Sequence, residues 1–475
     1  MLASLSPEIT LLIADYLPHP AVAVASLVCK SWRSRTLAIL FRSVALTSDS
    51  HIAHFSHTIA NRVNLPFSIS QHIRSLTIGT GLKDDSITES GLTSLASCTS
   101  HLFRLRELRW ELPLVPDNVK VLELFKAQCH QLELVALLLP EELASGNTLG
   151  EYLCPTLTSP KFDNLVEFQL RMQYNPQRFG TNTSDPLNKM LANCPKLQSL
   201  RIQIMDDQSD TPTAHLDEFI ALFDAQMTLP YLRKLHILGD IGMARESLID
   251  SDTGSRHLRD FLSRHINIEE LSLDCFLLYG SSRGSSRGSS SGNPEYLAKA
   301  LPSLKRFCGP YFMCEILLRS SVAKRLECLS FQRVRFYRSV TLFTWGGKYP
   351  ILPVPKLREL DVSKFGFGNI LRVLTKLLPV APELEELDLG NFYPDQSTTF
   401  LELFQYTPKL RKMSIFNLSF RLDYSDPLHV RSYWTTNPEF ESLFEQMKKM
   451  CPELGVTKHW EGSMKLDKKN AKMIW

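Results

Sequence analysis

Apolar residues recur along this chain in a short pattern, in which the second and third apolar positions follow the first by three and five residues. The clearest copy is Leu384, Leu387 and Leu389, with acidic residues between them. Side chains in a strand alternate between the two faces of a sheet, so the last two apolar positions point to one side and the residues between them to the other. Each copy therefore predicts a short strand with one buried side and one polar side.

Copies of this pattern follow one another at steps of 22 to 36 residues, which leaves room for a strand and a helix in each. The twelve copies begin at Ile73, Leu105, Leu132, Leu165, Leu197, Leu232, Ile268, Leu304, Leu326, Leu357, Leu384 and Leu410. Proline precedes several of them, as at Pro195 and Pro382. Because proline cannot continue a helix and favours extended geometry before it, each such proline predicts the end of a helix and the start of a strand.

This arrangement resembles the leucine-rich repeat. The resemblance implies an α/β fold, a horseshoe-shaped solenoid over residues 73–460 with parallel strands on the concave face and helices on the convex face. The copy at Leu304 lacks its last leucine and precedes the shortest step, which predicts a local irregularity there. A solenoid needs its open end covered, and a helix over Asp49–Asn61, within the linking segment 47–72, is predicted to cover it.

Residues 1–46 follow a different, helical period. Apolar residues three and four positions apart place one apolar face on a first helix. Ser6 is suited to cap this helix, Pro7 fits its first turn, and Pro18 ends it. Two further apolar runs follow, so this segment is predicted to form three short helices.

The order of these segments resembles an F-box domain. The resemblance is carried by Leu5-Ser6-Pro7-Glu8-Ile9, Tyr16-Leu17-Pro18, Leu27-Val28-Cys29-Lys30-Ser31-Trp32-Arg33 and Leu40-Phe41-Arg42. Ser6 departs from the family pattern, which often has a proline there, whereas Pro7 keeps the second proline. The resemblance implies docking on a Skp-type adaptor and, through it, on a cullin ubiquitin ligase. It implies as adaptor-binding residues Leu5, Pro7, Ile9, Leu12, Ile13, Leu17, Leu27, Val28 and Trp32.

So short a helical segment cannot build a large core of its own. Some of its apolar residues must therefore pack against something else, and two interpretations follow. Either they dock a partner, as amphipathic helices do in a groove, or they form a plain cap on the repeats.

The outward strand positions carry a pattern of charge in two parts. The earlier copies place basic side chains outward and the later copies mostly acidic ones, and these positions are predicted to bind the target protein. They are Arg171, Arg201, Lys234, His236, Glu270, Asp274, Glu359, Asp361, Glu386 and Asp388. Complementary charge of this kind selects partners and speeds association. The alternative is that these residues only keep a wide exposed sheet soluble.

Composition narrows the class of protein. The 475 residues are 44% hydrophobic and 22% charged, with no apolar run long enough to span a bilayer, so no membrane partner is expected. A formal net charge of +3 gives no footprint for nucleic acid. The ten cysteines are spread over apolar repeat positions, which indicates reduced thiols in a cytoplasmic or nuclear protein. Residues 280–292, rich in Gly, Ser and Arg, predict a disordered loop that is either a linker or a phosphorylation site, and residues 461–475 a basic tail.

No arrangement of residues predicts catalysis, a metal site or a cofactor. His51, His54 and His57 share one side of a helix but have no fourth ligand beside them, so a solvated face is predicted there. The F-box and leucine-rich-repeat resemblance implies a substrate-recognition subunit of a cullin-based E3 ubiquitin ligase, which does no chemistry itself, and the lack of a catalytic arrangement is consistent with that. Two alternatives stay open: an interaction scaffold with no ligase role, and a hydrolase whose groups converge only in the folded chain.

Overall fold

The structure of this protein is a computed structural model, and it describes most of the chain in separate segments. The described residues are 6–61, 69–79, 87–113, 116–139, 163–173, 181–205, 214–221, 223, 225–244, 257–278, 293–332, 350–364, 367–389, 397–414 and 445–454. The chain divides into two compact units. The first consists of residues 1–248 and 252–278, and the second of residues 249–251 and 279–475.

The first unit is a parallel sheet whose strands alternate with helices. Its helices are α1 (Pro7–Tyr16), α2 (His19–Ala25), α3 (Lys30–Leu40), α4 (Asp49–Asn61), α5 (Glu89–Cys98), α6 (Pro116–Gln128), α7 (Thr181–Ala192), α8 (Leu216–Ala221) and α9 (His257–Arg264). Its strands are β1 (Ser43–Leu46), β2 (Ser75–Ile78), β3 (Glu107–Pro113), β4 (Leu134–Leu139), β5 (Glu167–Gln173), β6 (Ser199–Met205), β7 (Ala214–His215), β8 (Lys234–Ala244) and β9 (Glu270–Leu278). The strands lie side by side in chain order, except that β7 pairs only with β8.

The second unit repeats the same plan with shorter elements. Its helices are α10 (Glu295–Ala300), α11 (Tyr311–Leu318), α12 (Phe367–Leu377) and α13 (Ser397–Phe404), and residues 445–450 are also helical. Its strands are β10 (Arg306–Gly309), β11 (Cys328–Phe331), β12 (Glu359–Asp361), β13 (Glu386–Asp388) and β14 (Lys412–Ser414), parallel and in chain order. The predicted α/β fold of leucine-rich repeats is confirmed.

The strand register follows the apolar pattern copy by copy. Each of the twelve predicted copies starts a strand two residues after its first apolar residue, as Leu384 does for the strand beginning at Glu386. The first residues of neighbouring strands align across the sheet, so that Glu107 lies beside Leu134 and Leu134 beside Glu167. One row of apolar side chains is therefore buried along the sheet, and the alternating row forms its open side, called here the strand face.

A tight turn joins each helix end to the next strand. In this turn the first residue of the copy donates its N–H to the carbonyl three residues earlier, as Leu197 does to Cys194 (3.1 Å) and Leu384 to Ala381 (3.3 Å). The proline that often follows that carbonyl cannot extend the helix. The turn explains why the prolines marked the repeat boundaries so well.

Strand β1 is an element that the sequence analysis did not predict. It lies within residues 1–46 and pairs in parallel with β2, with Ser43 beside Ser75. Phe41, Val44 and Leu46 have the same three-and-five spacing as the other copies, with Phe41 and Val44 at the leucine positions. The signal was present, but the substitutions concealed it, so this strand is a thirteenth copy of the pattern.

The copy at Leu304 departs from the pattern in composition but pairs regularly with β11. A glycine, Gly309, stands where the last leucine belongs, and the ring of Phe307 fills the space. A side chain added at Gly309 would lie 2.5 Å from that ring. Within the described residues the predicted irregularity is thus a change of core residue, with the strand pairing kept.

The helix α4 forms over the predicted residues and packs beside the next helix. Ile52 and Ile59 are buried, and the Asp49 carboxylate accepts hydrogen bonds from the backbone N–H (2.9 Å) and hydroxyl (2.6 Å) of Thr88. No helix in the described parts of the chain combines the length and apolar character needed to cross a bilayer. The predicted loop 280–292 and tail 461–475 lie outside the described residues.

Candidate interaction surfaces

The first N-terminal helix begins where its sequence predicts. The Ser6 side chain accepts a hydrogen bond from the Ile9 N–H (3.4 Å), and Pro7 occupies the first helical position, where a missing N–H costs nothing. The helix ends at Tyr16, before Leu17 and Pro18 take extended geometry. A capping serine and two prolines therefore set the length of α1.

The other two helices are fastened to each other and to α1 by polar contacts. The Cys29 thiol caps α3 by accepting the Trp32 N–H (3.4 Å). The His19 imidazole lies 2.9 Å from the Leu40 carbonyl and ties the start of α2 to the end of α3. Arg35 donates to the Thr10 hydroxyl (3.2 Å) and ties α3 to α1. These contacts hold three short helices in one arrangement.

The core inside these three helices is small. Its buried apolar residues are Ala14, Val22 and Trp32, together with the small polar residues Thr10, Ser26 and Thr36. Trp32 supplies most of this volume and is only 8% exposed. With only one large side chain in this core, the other apolar residues of α1 to α3 are half-buried or exposed.

The strand face of the first unit carries a network of charged and amide side chains. Arg109 donates to the Gln169 oxygen (3.4 Å), and the Gln169 amide donates to a Glu167 oxygen (2.5 Å). Arg109 and Gln169 lie two strands apart and meet because only the small Ala136 stands between them. Farther along the same strands, Arg171 and Glu111 approach to 3.9 Å.

Farther along this strand face, one carboxylate serves two basic residues. Glu270 lies 3.7 Å from the Lys234 ammonium and 3.4 Å from the His236 imidazole. Burial lowers the pKa of His236, and the neighbouring Glu270 opposes that shift. The predicted basic residues at this point are thus partly neutralised within the sheet.

The strand face of the second unit is also internally paired. The Arg306 guanidinium donates two hydrogen bonds to the Glu359 carboxylate (3.1 and 2.7 Å), reaching over Cys328. This contact lowers the pKa of Glu359. The Lys412 ammonium donates to Glu386 (2.8 Å), which raises the pKa of Lys412.

Asp361 is committed to the end of its own strand. One oxygen accepts the Ser363 N–H (2.9 Å) and hydroxyl (2.6 Å), and the other accepts the Ser330 hydroxyl (2.7 Å). Its carboxylate therefore accepts three hydrogen bonds from within the chain, and these stabilise the end of the strand. Its role as a target contact stays a prediction.

Comparison with known proteins identifies the domain that the N-terminal helices form. The family model of the F-box domain matches residues 2–38. Residues 2–38 are therefore an F-box domain. The repeated strand-and-helix copies described above follow this domain in the chain. No curated protein sequence matches the chain.

Solved structures to which the chain is similar share only low identity with it. The Rad7 and Elc1 complex of yeast is 14% identical at a TM-score of 0.36, over 81% of this chain and 88% of that chain. The leucine-rich repeat-containing protein LegL7 of Legionella pneumophila is 14% identical at 0.35, over 87% and 100%. A protein of Bacteroides fragilis is 13% identical at 0.30, over 55% and 69%. The repeat architecture described above is read from the strands themselves.

Most of the predicted adaptor-binding residues lie on the surface of the F-box. Ile9, Leu12 and Ile13 of α1 are 45%, 54% and 38% exposed, and Leu27 and Val28 after α2 are 71% and 65% exposed. Pro7 is exposed and Leu17 half-buried, while Leu5 lies outside the described residues. The rest of the described chain leaves these apolar side chains uncovered.

Trp32 differs from the other predicted adaptor contacts, because it is buried inside the F-box. It positions α3 against its neighbours and presents little surface to a partner. Two apolar residues outside the predicted set are also exposed on the F-box. Tyr16 is 83% exposed and Val24 is 67% exposed, and Tyr16 shares the helical spacing of Ile9, Leu12 and Ile13.

The strand faces also hold residues that the sequence analysis missed. Arg109 joins Arg171 and Arg201 on one face, and Arg306 and Lys412 pair with predicted acids on the other. Asp274 and Asp388 lie on strands β9 and β13, at the predicted outward positions. Each missed residue occupies an outward strand position, which the sequence spacing predicts. Which residue it pairs with on a neighbouring strand can be known only from the strand register.

The three histidines of α4 lie on its exposed side. His51 lies 3.0 Å from the Thr47 hydroxyl and His57 2.7 Å from the Asn61 amide, and both are exposed. No group of three or more metal-ligating side chains occurs among the residues that the structure describes. The nine described cysteines are free thiols, and burial raises the pKa of Cys129 and Cys194 to about 12.

Proposed function

We propose that this protein is the substrate-recognition subunit of a cullin-based ubiquitin ligase. The F-box binds a Skp-type adaptor, and the strand face of the repeats binds the target protein. In this role the chain does no chemistry itself, because transfer of ubiquitin follows from bringing the target close to the ligase. The observation that carries the proposal is the set of uncovered apolar side chains on the F-box.

The exposed apolar residues support the docking interpretation over the plain cap. If the F-box were only a cap on the repeats, its apolar side chains would be buried against them. Leu12, Tyr16 and Leu27 are instead more than half exposed. Burying one such side chain contributes about 1.5–3 kcal/mol, so several together favour a protein partner.

Adaptor binding can be measured with variants that spare the core. Leu12→Asp with Leu27→Asp places two charges on the proposed surface and leaves Trp32 untouched. We expect the purified full-length protein to bind a Skp-type adaptor in a pull-down, and the double variant to lose at least 90% of that binding. Circular dichroism should show the same thermal unfolding for both proteins.

A matched control comes from the repeats. Ile266 is 52% exposed, nearly the same exposed fraction as that of Leu12 (54%). It lies in a turn of the first unit, away from the F-box helices. Ile266→Asp should bind the adaptor as wild type does. If wild type does not bind, the ligase role is lost and the interaction scaffold without a ligase role becomes the better account.

The target surface is proposed from the charged strand faces and needs a test that respects their internal contacts. Reversing Glu359 or Asp361 would break hydrogen bonds that hold the sheet, so a loss of binding would not report on recognition. Glu386 and Lys412 are both half-exposed and pair with each other. Exchanging them, Glu386→Lys with Lys412→Glu, keeps the pair and the net charge but inverts the pattern.

We expect this charge exchange to change which proteins are captured while leaving stability the same. The measurement is proximity labelling by the full-length protein in cells with the proteasome blocked. Thermal unfolding provides the check on folding. An unchanged set of labelled proteins would place recognition elsewhere than on strands β13 and β14.

A further inference from the structure

Three arginines stand side by side at the edge of the sheet where the first strands begin. Arg42, Arg74 and Arg106 immediately precede strands β1, β2 and β3. Backbone hydrogen bonds join them directly: the Arg74 N–H donates to the Arg42 carbonyl (2.9 Å), and the Arg106 N–H donates to the Arg74 carbonyl (2.8 Å). Neighbouring strands lie about 4.8 Å apart, so these residues form a close row, called here the arginine row.

The equivalent position alternates in charge along the second unit. There it is occupied, in chain order and again with backbone hydrogen bonds between neighbours, by Lys305, Glu327, Arg358, Glu385 and Arg411. Neighbours of opposite charge attract, as where the side chains of Arg358 and Glu385 approach to 3.9 Å. Like charges side by side on adjacent strands are destabilising. The arginine row is therefore unfavourable for the folded chain on its own, which indicates that it binds something.

The chain supplies counter-charges only at the two ends of the row. Arg42 lies 3.9 Å from Asp15 of the F-box, and Arg106 lies 3.6 Å from Glu133, which precedes strand β4. All four side chains are about half exposed or more. Exposed ion pairs contribute little to stability, so a ligand can replace these carboxylates at small cost.

The middle of the row has no such counter-charge. The Arg74 guanidinium donates to two neutral backbone carbonyls, those of Gln71 (2.8 Å) and Ile73 (3.1 Å), and has no carboxylate partner among the described residues. Partial burial and the charges of Arg104 and the other two row arginines lower the pKa of Arg74. Arg104 is exposed in the turn before β3, where its guanidinium lies 5.9 Å from the centre of the Phe103 ring. This edge of the sheet is therefore electropositive.

The shape of the row selects the kind of anion. Three arginines at steps of about 4.8 Å extend over about 10 Å, which a single carboxylate or phosphate cannot span. An extended peptide advances about 3.3 Å per residue, so a few consecutive acidic residues place carboxylates along the whole row. Arginine binds a carboxylate through two parallel hydrogen bonds. A long polyanion such as nucleic acid fits less well, because Asp15 and Glu133 lie at the two ends of the row and repel it.

We propose that the arginine row binds a short acidic segment of a partner protein, in which aspartate and glutamate residues follow one another. The carboxylates of this segment replace Asp15 and Glu133 at the end arginines and give Arg74 a counter-charge. The row adds a third surface to the two of the proposed function. It contains neither the exposed apolar residues of the F-box nor the outward residues of the strand faces, and it lies where the F-box helices end and the repeats begin.

The test measures binding of fluorescent peptides to the purified full-length protein by anisotropy. One peptide carries six consecutive glutamates, and its control carries six glutamines between the same flanking residues. We expect the glutamate peptide to bind at least tenfold more tightly at low salt, and its affinity to fall as salt is raised, because exposed charges are screened. A single-stranded oligonucleotide of equal charge should bind more weakly than the glutamate peptide.

Two double variants with the same change of charge tie this binding to the row. Arg42→Gln with Arg106→Gln removes its exposed ends and should weaken binding of the glutamate peptide at least fivefold, with unchanged thermal unfolding. Arg358→Gln with Arg411→Gln removes two exposed arginines from the equivalent position in the second unit and should bind as wild type does. Each double variant leaves two carboxylates without their arginine, so the comparison isolates the position of the lost charge.

The proposal would be overturned if wild type bound the glutamate and glutamine peptides equally, or if the row variant bound the glutamate peptide as wild type does. An equal loss in both double variants would also overturn it, by showing a dependence on net charge alone. Tighter binding of the oligonucleotide would assign the row to nucleic acid instead. Adaptor binding is a separate readout, since a protein that binds the glutamate peptide but no adaptor would support the arginine row and refute the ligase role.

Discussion

At the scale of single residues, the strand faces show how outward side chains find partners across the sheet. Arg306 and Glu359 lie two strands apart, on either side of Cys328, and are joined by two hydrogen bonds. The arginine lowers the pKa of Glu359, so this carboxylate stays ionised to more acidic pH than a free one. Glu359 therefore stabilises the second unit as well as shaping its surface.

A double-mutant cycle measures that pair. Arg306→Met, Glu359→Gln and the double variant should give a coupling of about 0.5–1 kcal/mol in urea unfolding at neutral pH, because both side chains are part-exposed. A lowered folded-state pKa means that the contribution is present above the unfolded pKa and is lost as pH falls below it. Coupling that is zero at neutral pH, or that grows on acidification, would contradict the assignment.

A buried histidine makes a second prediction at this scale. His265 accepts the Leu229 N–H at Nε2 (3.1 Å) and donates from Nδ1 to the Phe261 carbonyl (2.7 Å), so it is neutral. Burial lowers its pKa, with the hydrogen bond to Phe261 opposing and Arg264 adding to the shift. Below the unfolded pKa near 6.5, the unfolded chain binds a proton that the folded chain resists.

The stability of wild type should therefore fall between pH 7 and pH 5, by at most about 1.4 kcal/mol per pH unit for this one group. His265→Gln removes the titration, so its stability should change less over the same range. The exposed His54 serves as control, and His54→Gln should follow the wild-type slope. Equal slopes for all three proteins in urea unfolding would show that His265 is not the responsive group.

The sequence predicted which side chains point outward, but it could not predict their pairing. Alternation along a strand places Glu359 and Glu386 on the open side from local spacing alone. Their partners Arg306 and Lys412 are 53 and 26 residues away in the chain. Only the register of neighbouring strands brings them together. The short-range spacing of residues in one sequence does not show how one strand aligns with the next.

At the scale of elements, the strands were the most predictable part of the molecule. The first residue of each strand follows from the apolar spacing. The turn before each strand follows from the hydrogen bond that the first residue of the copy donates to the carbonyl three residues earlier, and from the proline that often follows that carbonyl. Strand β1 was missed because Phe41 and Val44 replace leucines, and β7 because two residues carry no period. The three N-terminal helices were predicted from caps and prolines, whereas the burial of Trp32 depends on how they pack.

One glycine inside strand β8 is predicted to be indispensable. Gly239 has φ +110°, and the pairing with β9 shifts register beside it, between Ile237 and Ile241. A Cβ atom at this position would lie 1.7 Å from the Ile204 carbonyl oxygen. Gly239 thus combines a left-handed backbone with a close approach between strands.

Two substitutions distinguish these two causes. Gly239→Ala should destabilise the protein by at least about 2 kcal/mol or prevent soluble expression, because the collision forces the strands apart. Asparagine tolerates positive φ better than alanine but has the same Cβ atom. Gly239→Asn should therefore be nearly as damaging in thermal unfolding, and a variant as stable as wild type would show that the collision is easily relieved.

At the scale of the whole molecule, two kinds of surface have been kept separate along the chain. The F-box exposes several neighbouring apolar side chains around a small core, while the strand faces of the repeats expose charged and amide side chains. The first kind suits a constant partner bound by burial, and the second suits a target selected by charge. We infer that the chain links one bound protein to another.

The most direct test of this link measures ubiquitin on the captured proteins. Full-length protein and the Leu12→Asp, Leu27→Asp variant would each be used for proximity labelling with the proteasome blocked, and ubiquitinated lysines would be quantified on the labelled proteins. The account predicts that the same targets are labelled by both, and that their ubiquitination is at least several-fold lower with the variant. Equal ubiquitination of those targets with wild type and variant would contradict it.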